Sequence, residues 1–384
     1  MERICDLDKC TACALCVNVC PKRCITMKED TGLGHLHPKI NQDICIDCGL
    51  CQKKCPVNNT QQLLPPQKAY AGWDKNIDEY RSSTSGGAAS AFARYIISQG
   101  GVVYGCSVQQ DIDIRHIRVD KLEDIQKLKG SKYVQSNMIN CYRLINDDLK
   151  NGHKVLFVGT PCQIAGLKSY IGKNDQLLYT VDLICHGVPP LAFLQKHIKK
   201  VTKGQMPDEI IFRKNLYILL LLLASKPIYS RKLFTDRYKD VYLNTFFDGF
   251  SYRKSCYTCR FATPKRVSDI TIGDFWGLKD KLAIDHQYGC SVLLPITDKG
   301  KELVEAIRPE FNLFERTVEE AVNGNEQLRT PKYMNKRIAI FHKLFPILGI
   351  TTAYNICVCD KIFKYKIRKL IKYTKWIKLK NVVL

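Results

Sequence analysis

Two copies of one cysteine pattern restrict what the first part of this chain can fold into. Residues 10–21 read CTACALCVNVCP, and residues 45–56 read CIDCGLCQKKCP. Both follow C-x2-C-x2-C-x3-C-P, so each copy supplies three closely spaced thiols and a fourth that is followed by proline. Two complete copies in so short a stretch are too specific to be the product of chance.

The spacing predicts two 4Fe-4S clusters, held as in bacterial two-cluster ferredoxins. In that arrangement three closely spaced thiolates hold one cluster, and the cysteine before the proline binds the other cluster. The predicted ligand sets are Cys10, Cys13, Cys16 and Cys55 for the first cluster, and Cys45, Cys48, Cys51 and Cys20 for the second. The alternative is a pair of structural zinc sites, which we disfavour because zinc ligands usually come in C-x2-C pairs.

For residues near this cysteine pattern we predict structural roles and no cluster ligation. We expect Cys5 and Cys24 to be small buried residues beside the clusters. The segment between the two copies has glycines and a proline and predicts a hairpin, with His35 and His37 as surface residues. Two adjacent prolines at 65 and 66 then predict a domain boundary.

The rest of the composition is that of a globular protein. The 384 residues are 45% hydrophobic and 25% charged, which is enough apolar material to bury a core. Nineteen cysteines without a signal-peptide pattern indicate metal ligands or catalytic groups in a reducing compartment, so we expect a cytoplasmic protein. The longest apolar run, at 216–224, is shorter than the roughly 20 residues of a spanning helix and predicts a buried element.

Residues 154–185 predict a strand, a helix and a second strand, which form a β-α-β unit with parallel strands. Cys162 follows the first strand and Cys185 ends the second, so both lie at the carboxyl edge of the sheet, where ligands bind. Cys256 and Cys259 add a C-x2-C pair. The four thiolates are enough for a third 4Fe-4S cluster or a structural zinc, and two of them also fit simple buried thiols.

A small turn opens a predicted helix at residues 88–98. Its residues are Ser85, Gly86 and Gly87, and free N–H groups at such a helix start suit a phosphate. Taken alone, the same residues more often form an ordinary helix cap.

Several motifs together resemble one known family. SSTSGG (82–87), GSKYVQS (130–136), GTPCQIAGL (159–167), ICHG (184–187) and CYTC…DITIGDFW (256–276), behind the ferredoxin-like segment, are similar to the beta subunit of coenzyme F420 hydrogenases and dehydrogenases. The resemblance covers about residues 1–300. It implies an iron–sulfur flavoprotein that passes electrons between FAD and a deazaflavin coenzyme, and onward through clusters to a partner.

The resemblance also implies roles for individual residues. Cys162, Cys185, Cys256 and Cys259 match the ligands of a cluster beside the flavin. His186 and Asp274 become candidates for proton transfer or for supporting that cluster, with plain turn residues as the alternative. The residues expected near FAD or the deazaflavin are Ser85, Gly86, Gly87, Ser131, Lys132 and Tyr133.

The end of the printed sequence is strongly basic. The net charge is +22, and residues 331–384 contribute 13 basic residues and one acidic residue to it. Residues 361–380 predict a basic amphipathic helix with Phe363, Ile367, Leu370 and Ile377 near one face, which suits an anionic membrane surface or an acidic partner. The alternatives are a helix whose apolar stripe covers the main domain, and nucleic-acid binding, which the mildly basic remainder disfavours.

We therefore predict a mixed α+β and α/β fold. A two-cluster ferredoxin domain occupies residues 1–64, a larger α/β flavin-binding domain 66–330, and a helical basic tail 331–384. The predicted function is an iron–sulfur flavoprotein oxidoreductase that serves a redox partner and a deazaflavin or other small electron donor, with possible contact to the inner face of the membrane. Two alternatives stay open: an oxidoreductase of the same fold in a biosynthetic, for example polysaccharide, pathway, and an electron-transfer protein without flavin.

Overall fold

The computed structural model describes residues 3–172, 175–214, 217–232, 238–278 and 286–380, with side chains up to residue 371. The strands in these ranges are β1 (Ile25–Glu29), β2 (Leu36–Ile40), β3 (Ala69–Asp74), β4 (Val102–Gln109), β5 (Asp113–Val119), β6 (Val155–Gly159), β7 (Leu178–Leu183), β8 (Glu209–Ile211), β9 (Tyr217–Leu223), β10 (Lys226–Lys232), β11 (Ile270–Asp274), β12 (Ser291–Pro295) and β13 (Phe311–Arg316). The helices are α1 (Leu15–Val19), α2 (Leu50–Lys53), α3 (Ile77–Ser82), α4 (Ala88–Ser98), α5 (Cys141–Lys150), α6 (Pro161–Ile171), α7 (Leu191–Val201), α8 (Val241–Phe247), α9 (Asp298–Ala306), α10 (Val318–Gly324), α11 (Lys336–Cys357) and α12 (Cys359–Lys380).

The first part of the chain contains the two short helices α1 and α2 and the antiparallel pair β1–β2. The predicted hairpin between the cysteine copies is therefore present. The expectation that His35 lies on the surface is wrong, because this residue is buried. Its loop packs against the larger part of the molecule: a Cβ on Gly34 would lie 2.8 Å from the Cβ of Ala192 in α7.

An eight-stranded sheet in the order β13-β3-β12-β11-β7-β6-β4-β5 forms the centre of the molecule. Strands β4, β6, β7 and β11 are parallel to one another, so the predicted β-α-β unit β6–α6–β7 is confirmed. Gly159, Asp182 and Thr271 form one register row across β6, β7 and β11. Strand β7 ends at Leu183, so Cys185 lies just beyond the strand and not at its last residue.

Helices cover both faces of this sheet and fix the loops at its carboxyl edge. On one face, α4 and α9 pack over a core that includes Phe92, Ile96 and Val304. On the other face, α5 and α6 pack together with the start of α1. Helix α6 begins with Pro161 and a capping box between Thr160 and Gln163, which ends β6 sharply and sets the direction of the following turn.

A smaller sheet, β10-β9-β8, accounts for the longest apolar run. Ile218, Leu219 and Leu221 of β9 are buried with α7 and α8, so the predicted buried element is confirmed for these residues, whereas Leu223 at the end of β9 is exposed. Residue 216 lies outside the described ranges.

Two long helices complete the described chain. Helix α11 packs on α8 through Ile338, Phe341 and Tyr354, and it is interrupted at Gly349, whose φ is +74°. Helix α12 follows, as the sequence predicts. Within the described ranges, no helix has the length and apolarity needed to cross a membrane.

Candidate functional site: three groups of cysteine thiols

Four predicted ligands line one cavity near α1. They are Cys10, Cys13, Cys16 and Cys55, and Cys5 lies beside them. The backbone is left-handed at Ala12 and Ala14, and this tight coil turns successive thiols toward the same cavity. A hydrogen bond with the Cys5 thiol lowers the pKa of Cys10 to about 4, so the thiolate form is favoured there.

The second predicted set lines a separate cavity. Its members are Cys20, Cys45, Cys48 and Cys51, with the buried Cys24 beside them. The sulfurs of Cys20 and Cys24 are 3.4 Å apart. Left-handed backbone at Asp47 and Gly49 coils this copy in the same way. Cys48 is exposed, so this cavity lies close to the surface.

Both cavities fit the donor chemistry of 4Fe-4S clusters. Each is lined by four predicted ligands, three from one sequence copy and one from the other, as the predicted assignment requires. Cys5 and Cys24 are buried near them, as expected. Among the described residues, no three Cys, His, Asp or Glu side chains converge on a single ion-sized site. Iron ligation by particular thiols stays a prediction.

A third thiol group lies at the carboxyl edge of the large sheet. Cys162 is in the first turn of α6, Cys185 follows β7, and Cys256 and Cys259 come from the segment around the 3₁₀ helix Lys254–Thr258. Each of the other three thiols acts electrostatically on Cys185 and raises its pKa further, after burial as the main cause. The structure thus brings together four residues that are far apart in sequence.

The chemistry of this third group also suits a cluster. Burial raises the pKa of Cys162 to about 11 and that of Cys256 to about 12, so uncompensated thiolates are unfavourable there. Bound iron compensates the negative charge of thiolates, and thiols lose their protons when they bind a metal. The hydroxyl of Thr160 lies 3.2 Å from the sulfur of Cys162 and gives that sulfur a polar contact.

The first and third thiol groups are neighbours. Cys162 contributes to the raised pKa of Cys13. Four residues after Cys162 on α6, a Cβ on Gly166 would lie 3.2 Å from the sulfur of Cys13 and 2.7 Å from the hydroxyl of Tyr142. Helix α6 therefore carries one predicted ligand of the third group and packs directly on the cavity of the first group.

The predicted cofactor loops also meet. The N–H of Ser131 donates to the Thr84 hydroxyl at 3.1 Å, and Ser85 donates to the Cys290 carbonyl at 3.0 Å. A Cβ on Gly86 would lie 2.1 Å from the Gly72 carbonyl oxygen, so only glycine fits there. Gly87 has a φ of +87° and provides no side-chain cap for α4.

Lys132 and Tyr133 are held by internal contacts. The Lys132 ammonium donates to the carbonyls of Leu128 and Lys129, each at 2.8 Å, and burial lowers its pKa to about 8. The ring of Tyr133 stacks on Phe246 with centroids 5.1 Å apart.

His186 and Asp274 lie beside the third thiol group, as the sequence indicates. Asp274 ends β11 and forms an ion pair with Arg213 at 2.6 Å. Burial lowers the pKa of His186, while the charge of Asp274 opposes this shift. The two residues share one end of the sheet with Cys185.

Two family models match this chain in the regions just described. One describes the C-terminal part of the coenzyme F420 hydrogenase/dehydrogenase beta subunit and matches residues 152–320, and the other, "4Fe-4S dicluster domain", matches residues 9–59. Residues 152–320 therefore form the C-terminal region typical of the coenzyme F420 hydrogenase/dehydrogenase beta-subunit family. The predicted resemblance and the predicted N-terminal iron–sulfur domain are therefore confirmed.

Curated relatives match different parts of this chain. The coenzyme F420-dependent sulfite reductase of Methanocaldococcus jannaschii is 28% identical over 188 residues, which are 46% of this chain and 28% of that relative. The 7Fe ferredoxin of Hydrogenibacillus schlegelii is 46% identical over 71 residues, 18% of this chain and 81% of the ferredoxin. The chain thus spans about a quarter of the sulfite reductase and most of the ferredoxin.

A solved structure gives a weaker likeness. A chain of the F420-reducing NiFe hydrogenase complex from Methanosarcina barkeri has a TM-score of 0.46 at 15% identity, covering 69% of this chain and 91% of that chain.

Arg253 is a residue at this site that the sequence did not reveal. It is among the largest fully buried side chains and lies between the first and third thiol groups. A lone arginine before a C-x2-C pair looks like a surface residue in the sequence. Its burial depends on contacts with residues 10, 36 and 135, which only the folded chain brings together.

Proposed function

We propose that this protein is a flavin-dependent iron–sulfur oxidoreductase that exchanges electrons between a deazaflavin coenzyme of the F420 type and a redox partner. The family match and the dicluster domain support an electron-transfer role in an oxidoreductase family. The observation that supports electron exchange between a deazaflavin coenzyme and a redox partner is the position of the third thiol group. It adjoins the carboxyl edge of the sheet on one side and the first cysteine cavity on the other.

The carboxyl edge supplies residues suited to FAD. When bound, FAD interconverts a two-electron hydride and single electrons. The N–H groups at the start of α4, after Gly87, suit a phosphate, and the Ser131 loop adjoins them. His186 and Asp274 lie near the third thiol group and are suited to hold or move a proton at the imidazole and carboxylate. We propose three cluster sites, with residues 1–64, 66–330 and 331–384 as the structural units.

The surface around the second cavity is our proposed contact for the redox partner. Cys48 is exposed there, and Ile44 and Ile46 are 49% and 56% exposed. Exposed apolar side chains beside a redox site suit a transient protein contact. We propose that electrons pass between the third, the first and the second thiol group in that order. The second cavity is then the point at which they reach the partner.

The first experiment is iron analysis with a matched pair of cysteine variants. Three clusters predict about twelve irons per chain, and Cys185→Ser should lose about four of them. Cys357→Ser is the control, because that buried cysteine belongs to α11 and to none of the three groups. About eight irons in the unaltered protein would rule out a third 4Fe-4S cluster.

The second experiment tests the electron donor. Reduced deazaflavin is added anaerobically at stoichiometric amounts while flavin and cluster absorbance are followed. Bleaching of both chromophores supports the proposed reaction. If dithionite bleaches them and the deazaflavin does not, another donor is the substrate, as in the biosynthetic alternative.

One observation favours a second candidate, an electron carrier without flavin. The Lys132 ammonium is already bonded to two carbonyls, and Gly86 packs tightly on β3, so these predicted cofactor residues have structural roles. Acid extraction distinguishes the two candidates. About one flavin per chain excludes the carrier, and none, in a protein with full iron content, excludes the flavoprotein.

For the basic C-terminal helix we propose docking on the anionic inner face of the cytoplasmic membrane. Helix α12 packs on the molecule through Ile362 and through Tyr365, which contacts Tyr238. Phe363 and Ile367 of the predicted stripe are 65% and 40% exposed. The alternative in which this stripe covers the main domain is therefore wrong for these two residues. Residues 372–380, including Tyr373, Trp376 and Ile377, have no described side chains.

A further inference from the structure

Arg253 is a buried cation without an ion-paired carboxylate in the part of the chain that the structure describes. Its side chain is 2% exposed. Nε donates to the Gln135 side-chain oxygen at 3.3 Å, Nη1 to the Cys10 carbonyl at 3.2 Å, and Nη2 to the Leu36 carbonyl at 2.5 Å. All three acceptors are neutral. A buried charge is unfavourable unless an opposite charge compensates it.

A second buried arginine in the same molecule shows the usual solution. Arg266 is also 2% exposed, and it forms an ion pair with the fully buried Asp182 at 2.8 Å. The protein therefore neutralises one buried guanidinium with a carboxylate and leaves the other without one. This contrast indicates that the counter-charge of Arg253 comes from a different kind of group.

The side chains that act most strongly on the charge of Arg253 are predicted cluster ligands. Cys10 of the first group and Cys256 and Cys162 of the third group lead, and the Asp30 carboxylate follows them with a smaller effect. The backbone fixes this placement, because the Cys256 N–H donates to the Arg253 carbonyl at 2.9 Å and the Ser255 hydroxyl donates to the Cys10 carbonyl at 3.1 Å. One short segment thus joins the two thiol groups.

We propose that Arg253 is a shared buried counter-ion that raises the reduction potentials of both the first and the third cluster. The proposal rests on the proposed occupancy of these two sites by 4Fe-4S clusters. A cluster with four thiolates is anionic, and one-electron reduction adds a further negative charge. A fixed positive charge in a poorly solvated site stabilises the reduced form more than the oxidised form. Arg253 is a positioning and tuning residue, since it contacts no reacting substrate atom.

The test replaces the charge and then restores it. Arg253→Gln keeps N–H donors without the charge, and Arg253→Lys keeps the charge without the planar fork. Lys254→Gln is the control, because that neighbouring lysine is exposed and pairs with Asp8 at 2.6 Å. The readout is the reduced fraction of each cluster at fixed potentials, followed by electron paramagnetic resonance.

In Arg253→Gln, the ratio of reduced to oxidised cluster should fall about tenfold for the first and third clusters, about 59 mV for a one-electron couple. The second cluster should change little, because the hydrogen bonds of the Arg253 side chain go to residues outside its cavity. Arg253→Lys should recover most of the loss. Unchanged ratios in an iron-replete Arg253→Gln protein would overturn the proposal, and so would an equal shift of all three clusters.

Loss of iron on substitution is also decisive. If Arg253→Gln fails to retain the first and third clusters while Arg253→Lys retains them, both sites require the positive charge, which supports the role of Arg253 as their shared counter-ion. If both variants lose them, Arg253 acts by shape and the proposal is wrong. About eight irons in the unaltered protein would contradict the proposed third cluster and not the role of Arg253. Iron analysis shows this before any Arg253 variant is made.

Discussion

At the scale of single residues, the buried pair Asp182–Arg266 offers a direct test of the sheet interior. Asp182 accepts hydrogen bonds from Nη2 of Arg266 at 2.8 Å and from Nε at 3.3 Å. Removing one partner leaves an uncompensated buried charge. We expect Asp182→Asn to lower the free energy of unfolding by about 3–5 kcal/mol, measured by anaerobic urea unfolding.

The matched control for this prediction is an ion pair on the surface. Glu315 pairs with Lys68 at 3.0 Å, and the Glu315 side chain is 61% exposed. Glu315→Gln should therefore cost less than about 1 kcal/mol. Similar losses in the two variants would show that the Arg266 charge is not isolated from water as the structure indicates.

The same scale shows which residues the sequence could predict. The grouping of the cysteines in the first two cavities could be predicted, because the fixed spacing typical of cluster ligands is visible in the sequence. The burial of Arg253 and His35 could not be predicted, because it is decided by segments far away in the chain. Nothing in the local pattern around Gly34 and His35 distinguishes a loop that faces solvent from one that packs on α7.

At the scale of elements, α12 allows a test of membrane docking. The intact protein should sediment with vesicles that contain phosphatidylglycerol, and Phe363→Ser with Ile367→Ser should reduce the bound fraction at least about tenfold. Burying each side chain is worth about 1.5–3 kcal/mol, so the loss of two has a large effect. Truncation after Asp360 should have the same effect, and added salt should weaken binding.

The control for α12 is another exposed apolar residue outside the basic segment. Ile347 of α11 is 81% exposed, and Ile347→Ser should leave vesicle binding unchanged. A truncated protein that still sediments as fully as the intact one would rule out docking by this helix. Binding to an acidic protein but not to vesicles would favour the partner interpretation.

Secondary structure could be predicted where the sequence shows both the pattern of apolar residues and the residues that begin or end an element. The unit β6–α6–β7 has two apolar strands and a helix start at Pro161, and all three were found. The β10-β9-β8 sheet was not predicted, because a continuous apolar run fits a strand and a buried helix equally well. Strands β3, β12 and β13 join the large sheet through pairings between residues far apart in sequence, which no local pattern encodes.

At the scale of the whole molecule, the structure joins the cysteine-rich part to the larger sheet by packing as well as by the linker. Cys13, Ala14 and Leu15 belong to the same core as Ile164 and Leu167 of α6. The predicted boundary at prolines 65 and 66 therefore separates two segments that share a buried contact. Shared burial makes these parts unfold together more readily than independent domains do.

Gly166 allows a test of whether this contact holds the proposed first cluster in place. A methyl group there would meet the Cys13 sulfur at 3.2 Å and the hydroxyl of Tyr142 at 2.7 Å, and both of these side chains are buried. We expect Gly166→Ala to lower the free energy of unfolding by about 1–3 kcal/mol and to release the first cluster before the second on exposure to a chelator. Gly32→Ala is the control, because its Cβ would approach only the exposed Asp30 carboxylate, at 3.3 Å, and Phe345, at 3.5 Å. If Gly166→Ala loses both clusters at equal rates, or loses neither faster than Gly32→Ala does, the contact between α6 and the first cavity does not stabilise that cluster.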